Sequence, residues 1–165
     1  MKIKKPKKVK KITKASIKKN IRKLQNKALK LWSEAVKIKA GNTCCVQGCT
    51  VTERLNAHHI EAYATCKALR YDIRNGLCCC PGHHKFFGAS CHRSFCFVLE
   101  LLTLDDIEYL TAHRKDQVEF TIEYLQAKIT ELEGIINESR KPDAVSAAAG
   151  ATERNKTSIA QESIS

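Results

Sequence analysis

Six of the nine cysteines gather in two knots, Cys44, Cys45 and Cys49, then Cys78, Cys79 and Cys80, about thirty residues apart. Thiols grouped in this way are what a zinc ribbon or knuckle supplies. Cys45-Val-Gln-Gly-Cys49 is a C-x3-C knuckle, and Cys80-Pro-Gly-His83 adds a C-x2-H pair after a gap of thirty residues. Cys45, Cys49, Cys80 and His83 are therefore the expected ligands of one tetrahedral zinc site. Sulfur and imidazole are donors that zinc prefers, and a closed four-ligand set holds together a segment too small to bury its own core. Cys44 can replace Cys45 by a slip of one residue, and Cys78 and Cys79 adjoin Cys80, so the site is better fixed than its register. A disulfide framework is the poorer reading, because the cysteine number is odd and no secretory apolar segment stands at the amino terminus. Cys66, Cys78, Cys79, Cys91 and Cys96 are then expected as small core residues, a second metal or a redox role being the alternative for Cys66, Cys78 and Cys79.

Two histidine pairs, His58-His59 and His83-His84, flank Asn75 in the same stretch. Hydrolysis of a phosphodiester needs a water stripped of its proton, a cation to bear charge on the phosphate, and relief for the leaving 3′ oxygen. Neighbouring histidines on a strand can divide those tasks, since successive side chains point to opposite faces. In a module that only binds, the same four histidines are alternatives for the zinc site.

Ala57-His58-His59-Ile60, Asn75-Gly-Leu-Cys-Cys-Cys80 and Pro81-Gly-His83-His84 together resemble the signature of the HNH endonucleases, the ββα-metal or His-Me finger family. There a histidine pair closes the first strand, an asparagine opens the second, and a last histidine sits on the following helix. The intervals are sixteen residues from His59 to Asn75 and nine from Asn75 to His84. The resemblance extends to Leu69-Arg-Tyr-Asp72 and to Ser90-Cys-His92 with Phe95, like a phage-associated branch of the family; it covers residues 28–110 in outline and is specific over 43–95. Cys66 and the Cys78-Cys79 doublet depart from it. The resemblance implies that His59 is the general base and that His58 and His84 are ligands of a divalent metal. That metal is magnesium by expectation, with manganese, nickel or zinc also acceptable to imidazole. It further implies that Asn75 braces the loop holding His59, and that double-stranded DNA is cut to 5′-phosphate and 3′-hydroxyl ends.

Such a site needs a frame. The expected class is α+β: a small zinc-stapled ββα core flanked by a basic amino-terminal helix and carboxy-terminal helices. Ile21, Leu24, Ala28, Leu31, Ala35 and Ile38 put one apolar stripe on a helix running from Ile17, and Ala40-Gly41-Asn42 caps it. Leu55 to Ile60 reads as a strand, and Thr103-Leu-Asp-Asp106 as the start of a helix near Leu104. A second stripe, Val118, Ile122, Leu125, Ile129, Leu132 and Ile136, predicts a helix within 114–141. It packs on the core or on the first helix, the other use of the stripe being a homodimer. Trp32 and Phe95 are expected core anchors. The domain limits are then 13–113 for the endonuclease unit with its core at 43–97, a disordered arm over 1–12 and a disordered tail over 142–165.

Residues 1–30 carry fourteen of the 29 Lys and Arg and no acid. A concentrated basic arm draws phosphates in a salt-sensitive, largely sequence-blind way. Lys4, Lys5, Lys7 and Lys8 of the arm, with Arg70, Lys85 and Arg93 near the histidines, are the expected DNA contacts. No apolar run approaches the length of a membrane span, and an intracellular, nucleic-acid-associated protein is expected. The competing expectation is a non-catalytic zinc-dependent nucleic-acid-binding module.

Overall fold

The computed structural model describes residues 13–89 and 92–141, without the side chains at 92, 93 and 95. Among these residues the fold is α+β, with five helices and a two-stranded antiparallel sheet. The expectations for the arm, for Lys4, Lys5, Lys7 and Lys8, for Cys91, for the side chains of Arg93 and Phe95, and for the tail lie outside the described residues.

Helix α1 spans Lys14–Lys39. It begins with a reciprocal cap, in which the Thr13 hydroxyl accepts from the Ser16 amide and the Ser16 hydroxyl from the Thr13 amide. It ends where the sequence predicts: Gly41 and Asn42 turn left-handed, at φ of 62° and 53°, and their amides donate to the Ile38 and Lys37 carbonyls. The stripe is rotated from the expected one. Ala28, Trp32, Ala35 and Val36 are the buried residues, while Leu31 and Ile38 are half-buried. The reason is that α1 is covered on two sides, by a carboxy-terminal helix and by the sheet.

That second helix, α5, spans Ile122–Ser139 and starts under the Thr121 cap, so Val118 of the expected stripe precedes it. Leu125, Ile129, Leu132 and Ile136 are buried, in two clusters with Ala28 and Tyr71 and with Trp32, Ala35, Val36 and Cys78. At roughly 2 kcal/mol for each large aliphatic side chain removed from water, this stripe is the main adhesive of the helical layer. The stripe is thus occupied within the chain.

The sheet pairs β1, Asn56–His59, with β2, Gly76–Cys79. The register sets His58 opposite Leu77 and His59 opposite Gly76. β1 is shorter than the expected strand by one residue at each end. Gly76 has a packing role: a Cβ there would stand 2.3 Å from Val36 Cγ2 and 3.1 Å from Trp32 Cζ2. A helix α2, Pro81–Phe87, follows β2 directly. Then come α3, His92–Glu100, and α4, Leu104–His113. Thr103 caps α4 as predicted, accepting from the Asp106 amide and donating to its carboxylate. Among the described residues no helix is long and apolar enough to cross a membrane.

Candidate metal centre and histidine site

The sulfur cluster forms where the loop after α1 meets the start of α2. Cys44, Cys49, Cys80 and His83 present one ligand atom each, all within 4.8 Å of one another. His83 Nδ1 is 3.3 Å from Cys44 Sγ and 3.2 Å from Cys80 Sγ. A tetrahedral zinc with ordinary bond lengths wants such nitrogen–sulfur edges at about 3.5 Å, so the four residues fit the ion in chemistry and spacing. The Cys80 thiol is held below its usual range by a backbone hydrogen bond from His83, which favours the thiolate that a metal binds.

Cys49, Cys80 and His83 stand as expected, but the fourth member is Cys44 and not Cys45. The Cys45 amide donates to the Cys78 carbonyl at 2.8 Å, which lays that residue against β2 and turns the thiol of its neighbour to the cluster. Burial pushes the Cys45 thiol up to about 12. Cys78 and Cys79 are fully buried: Cys78 packs with Trp32 and Val36, and Cys79 with Cys44, Cys80 and Phe87. Cys66 is buried too, its thiol donating to the Arg114 carbonyl at 3.0 Å. All three act as small core residues.

β1 sends its two histidines to opposite faces. His58 turns to α2, where its ring lies 5.4 Å from that of His84, at 87° to it, and 5.5 Å from that of Phe87. Burial first, and then the charges of His84 and His59, push His58 down to about 4. It is therefore a neutral imidazole at neutral pH, the form that ligates a metal. Phe87 also stacks with His83 at 6.2 Å and so stands between the sulfur cluster and the His58–His84 pair.

His59 turns to α1. Its ring stacks on Trp32 with centroids 3.7 Å apart and planes at 14°, and Tyr63 meets it edge-on at 5.4 Å. His59 Nε2 is 3.0 Å from the Arg70 carbonyl. A carbonyl only accepts, so Nε2 carries the hydrogen and Nδ1 of the neutral ring keeps its lone pair. Burial holds the pKa below the usual histidine value.

Asn75 is fully buried and clamps the loop between these groups. Its Oδ1 accepts from the Glu61 amide at 2.6 Å, and its Nδ2 donates to the Glu61 and Leu69 carbonyls at 3.1 and 3.0 Å. Asp72 extends the brace. Its carbonyl accepts from Trp32 Nε1 at 2.8 Å, and its carboxylate accepts from the Arg74 amide and the Tyr109 hydroxyl. Arg74 in turn pairs with Asp105 and Asp106 of α4.

Of the expected DNA contacts, Lys85 is exposed on α2. The Arg70 guanidinium lies between the rings of Tyr63 and Phe120, at 4.2 and 4.7 Å, and donates to the Tyr63 carbonyl; it is the carbonyl of Arg70 that reaches His59. Sequence reasoning missed the Trp32 stack, the Tyr63 edge and the Asp72 hub. Trp32 had the signal of being the one tryptophan on the buried stripe, which marks core but says nothing of what it covers. The chain matches no protein-family model, no curated protein and no solved structure.

Proposed function

We propose that the chain is a metal-dependent endonuclease of the HNH kind that hydrolyses DNA phosphodiester bonds, with a ββα core formed by β1, β2 and α2. The observation that carries this reading is the placing of β1's two histidines on opposite faces: the His58 ring lies 5.4 Å from that of His84, while His59 is pinned through Nε2 and Nδ1 keeps its lone pair. Cys44, Cys49, Cys80 and His83 would hold a structural zinc. His58 and His84 would hold a divalent cation, magnesium by preference, which when bound supplies positive charge to the phosphate and the leaving oxygen.

The chain's own groups do the rest. His59 Nδ1 takes the proton of the attacking water; the Arg70 carbonyl steadies the ring as its charge rises, because the Nε2–H bond strengthens in the imidazolium. Trp32 and Tyr63 fix the plane of that ring. Asn75 holds the loop that delivers the Arg70 carbonyl and transfers no proton itself. The ends produced would be a 5′-phosphate and a 3′-hydroxyl.

The test is plasmid nicking with magnesium by His59→Ala, alongside duplex affinity at fixed salt. Cleavage is expected to fall by about 10²–10⁴-fold, the usual worth of a general base, while affinity holds. Equal cleavage by variant and parent would remove His59 as the base, and no cleavage by the parent would overturn the nuclease reading and leave a zinc-dependent module that only binds.

A further inference from the structure

A cleft of about 840 Å³ lies beyond the histidines, walled by α1, the loop before β1 and the end of α5. Lys30, Lys37, Arg54 and Arg140 line it against one acid, Glu34. Glu34 is committed to Arg140 at 2.7 Å; among the described residues Lys30, Lys37 and Arg54 enter no ion pair. Like charges brought together without partners repel and weaken the fold. These come from well-separated parts of the chain, and beyond residue 30 the sequence holds fifteen bases against seventeen acids. Arg54 also sits at a left-handed φ of 54°, its carbonyl tied by the Asn56 side chain. A non-glycine residue is held there only where its surroundings enforce it.

The cleft is aligned with His59. Leu55 borders it, while Ala57 and His59 border the neighbouring hollow with Leu29, Trp32 and Ser33. Residues 55, 57 and 59 alternate onto one face of β1. On α1, Lys37 continues the row of Leu29 and Ser33 at intervals of four. Cleft and hollow thus follow one another along the seam between α1 and β1. From Leu55 to His59 the strand advances about 13 Å at 3.3 Å per residue, which is the scale of a few phosphates along one DNA strand.

We infer that this cleft is a phosphate-binding track that carries one strand of duplex DNA to His59, with Lys37 and Arg54 gripping backbone phosphates a short way along the strand from the bond that is cut. The choice of DNA as the occupant rests on the nuclease reading. Glu34 holds Arg140 at the rim and limits the grip.

The experiment is duplex affinity against salt in magnesium-free buffer, on the full chain, for Lys37→Gln with Arg54→Asn, for Glu34→Gln, and for a control pair, Lys67→Gln with Lys115→Gln, away from the cleft. Each phosphate contact adds about 0.9 to the slope of log affinity against log salt. The cleft pair should therefore flatten the slope by about 1.8, so that the affinity lost between about 50 and 200 mM salt shrinks about twelvefold. Glu34→Gln should steepen the slope, and the control pair should leave it near that of the parent. A cleft pair whose slope matches the control, or a Glu34→Gln chain that binds less tightly, overturns the track. Because no cleavage is measured, such a failure leaves the nuclease reading standing, and failure of the His59→Ala test leaves these slopes unaffected.

Discussion

The two faces of α2 hold opposite kinds of site. On one, three thiols and His83 close around a point, with Cys44 and Cys80 buried. On the other, His84 and His58 meet ring to ring. Adjacent residues, His83 and His84, serve the two, and Phe87 one turn on lies against both His83 and His58. A saturated ligand set can only hold, whereas a pair of imidazoles leaves coordination positions for water and phosphate oxygens. The two groups differ in the number of donors that converge: four in the sulfur cluster and two in the histidine pair.

The comparison breaks most visibly on removal of the sulfur site. Cys80→Ser should abolish zinc retention and the cooperative melt, because structural zinc binding in small modules is worth about 10–16 kcal/mol, as much as a whole domain's stability. Metal analysis after dialysis and circular dichroism melting measure this. Cys44→Ser should behave the same way and Cys45→Ser should keep its zinc, which tests the register directly. The His59→Ala loss of cleavage comes next, and it should occur with zinc content unchanged.

Asn75→Ala probes the seam between the sites. Three hydrogen bonds to buried and part-buried backbone groups disappear, so stability should fall by about 3 kcal/mol in a denaturant titration, again with zinc retained. The smallest effect concerns the outer brace. The Asp106 carboxyl is held below its usual range, first by the Thr103 hydroxyl and then by Arg74. Its contribution is therefore present above the unfolded value of about 4 and is lost as pH falls through the lower folded value. Asp106→Asn should lower the neutral plateau by a small amount and flatten the acid limb below about pH 4, the two curves converging in acid.

Much of the frame was legible because it is written in local signals. The Thr103 cap, the Ala40-Gly41-Asn42 stop and the Leu125 to Ile136 stripe depend on neighbours a turn away. Cys49, Cys80 and His83 were legible by spacing, and the bracing part of Asn75 through the family resemblance. The choice between Cys44 and Cys45 was not, since it turns on one backbone hydrogen bond to Cys78, 33 residues on. The Trp32–His59 stack and the cleft were hidden for the same reason: each joins segments that the chain separates widely, and periodicity reports which side of an element is buried without saying against what.

Gly76 sits across from His59 in the sheet and beneath Val36 and Trp32. The closeness of indole to imidazole is thereby fixed by a missing methyl group. A side chain at position 76 would displace Val36 and Trp32 from their places, so a residue with no reactive atom sets the tolerance of the His59 face to change.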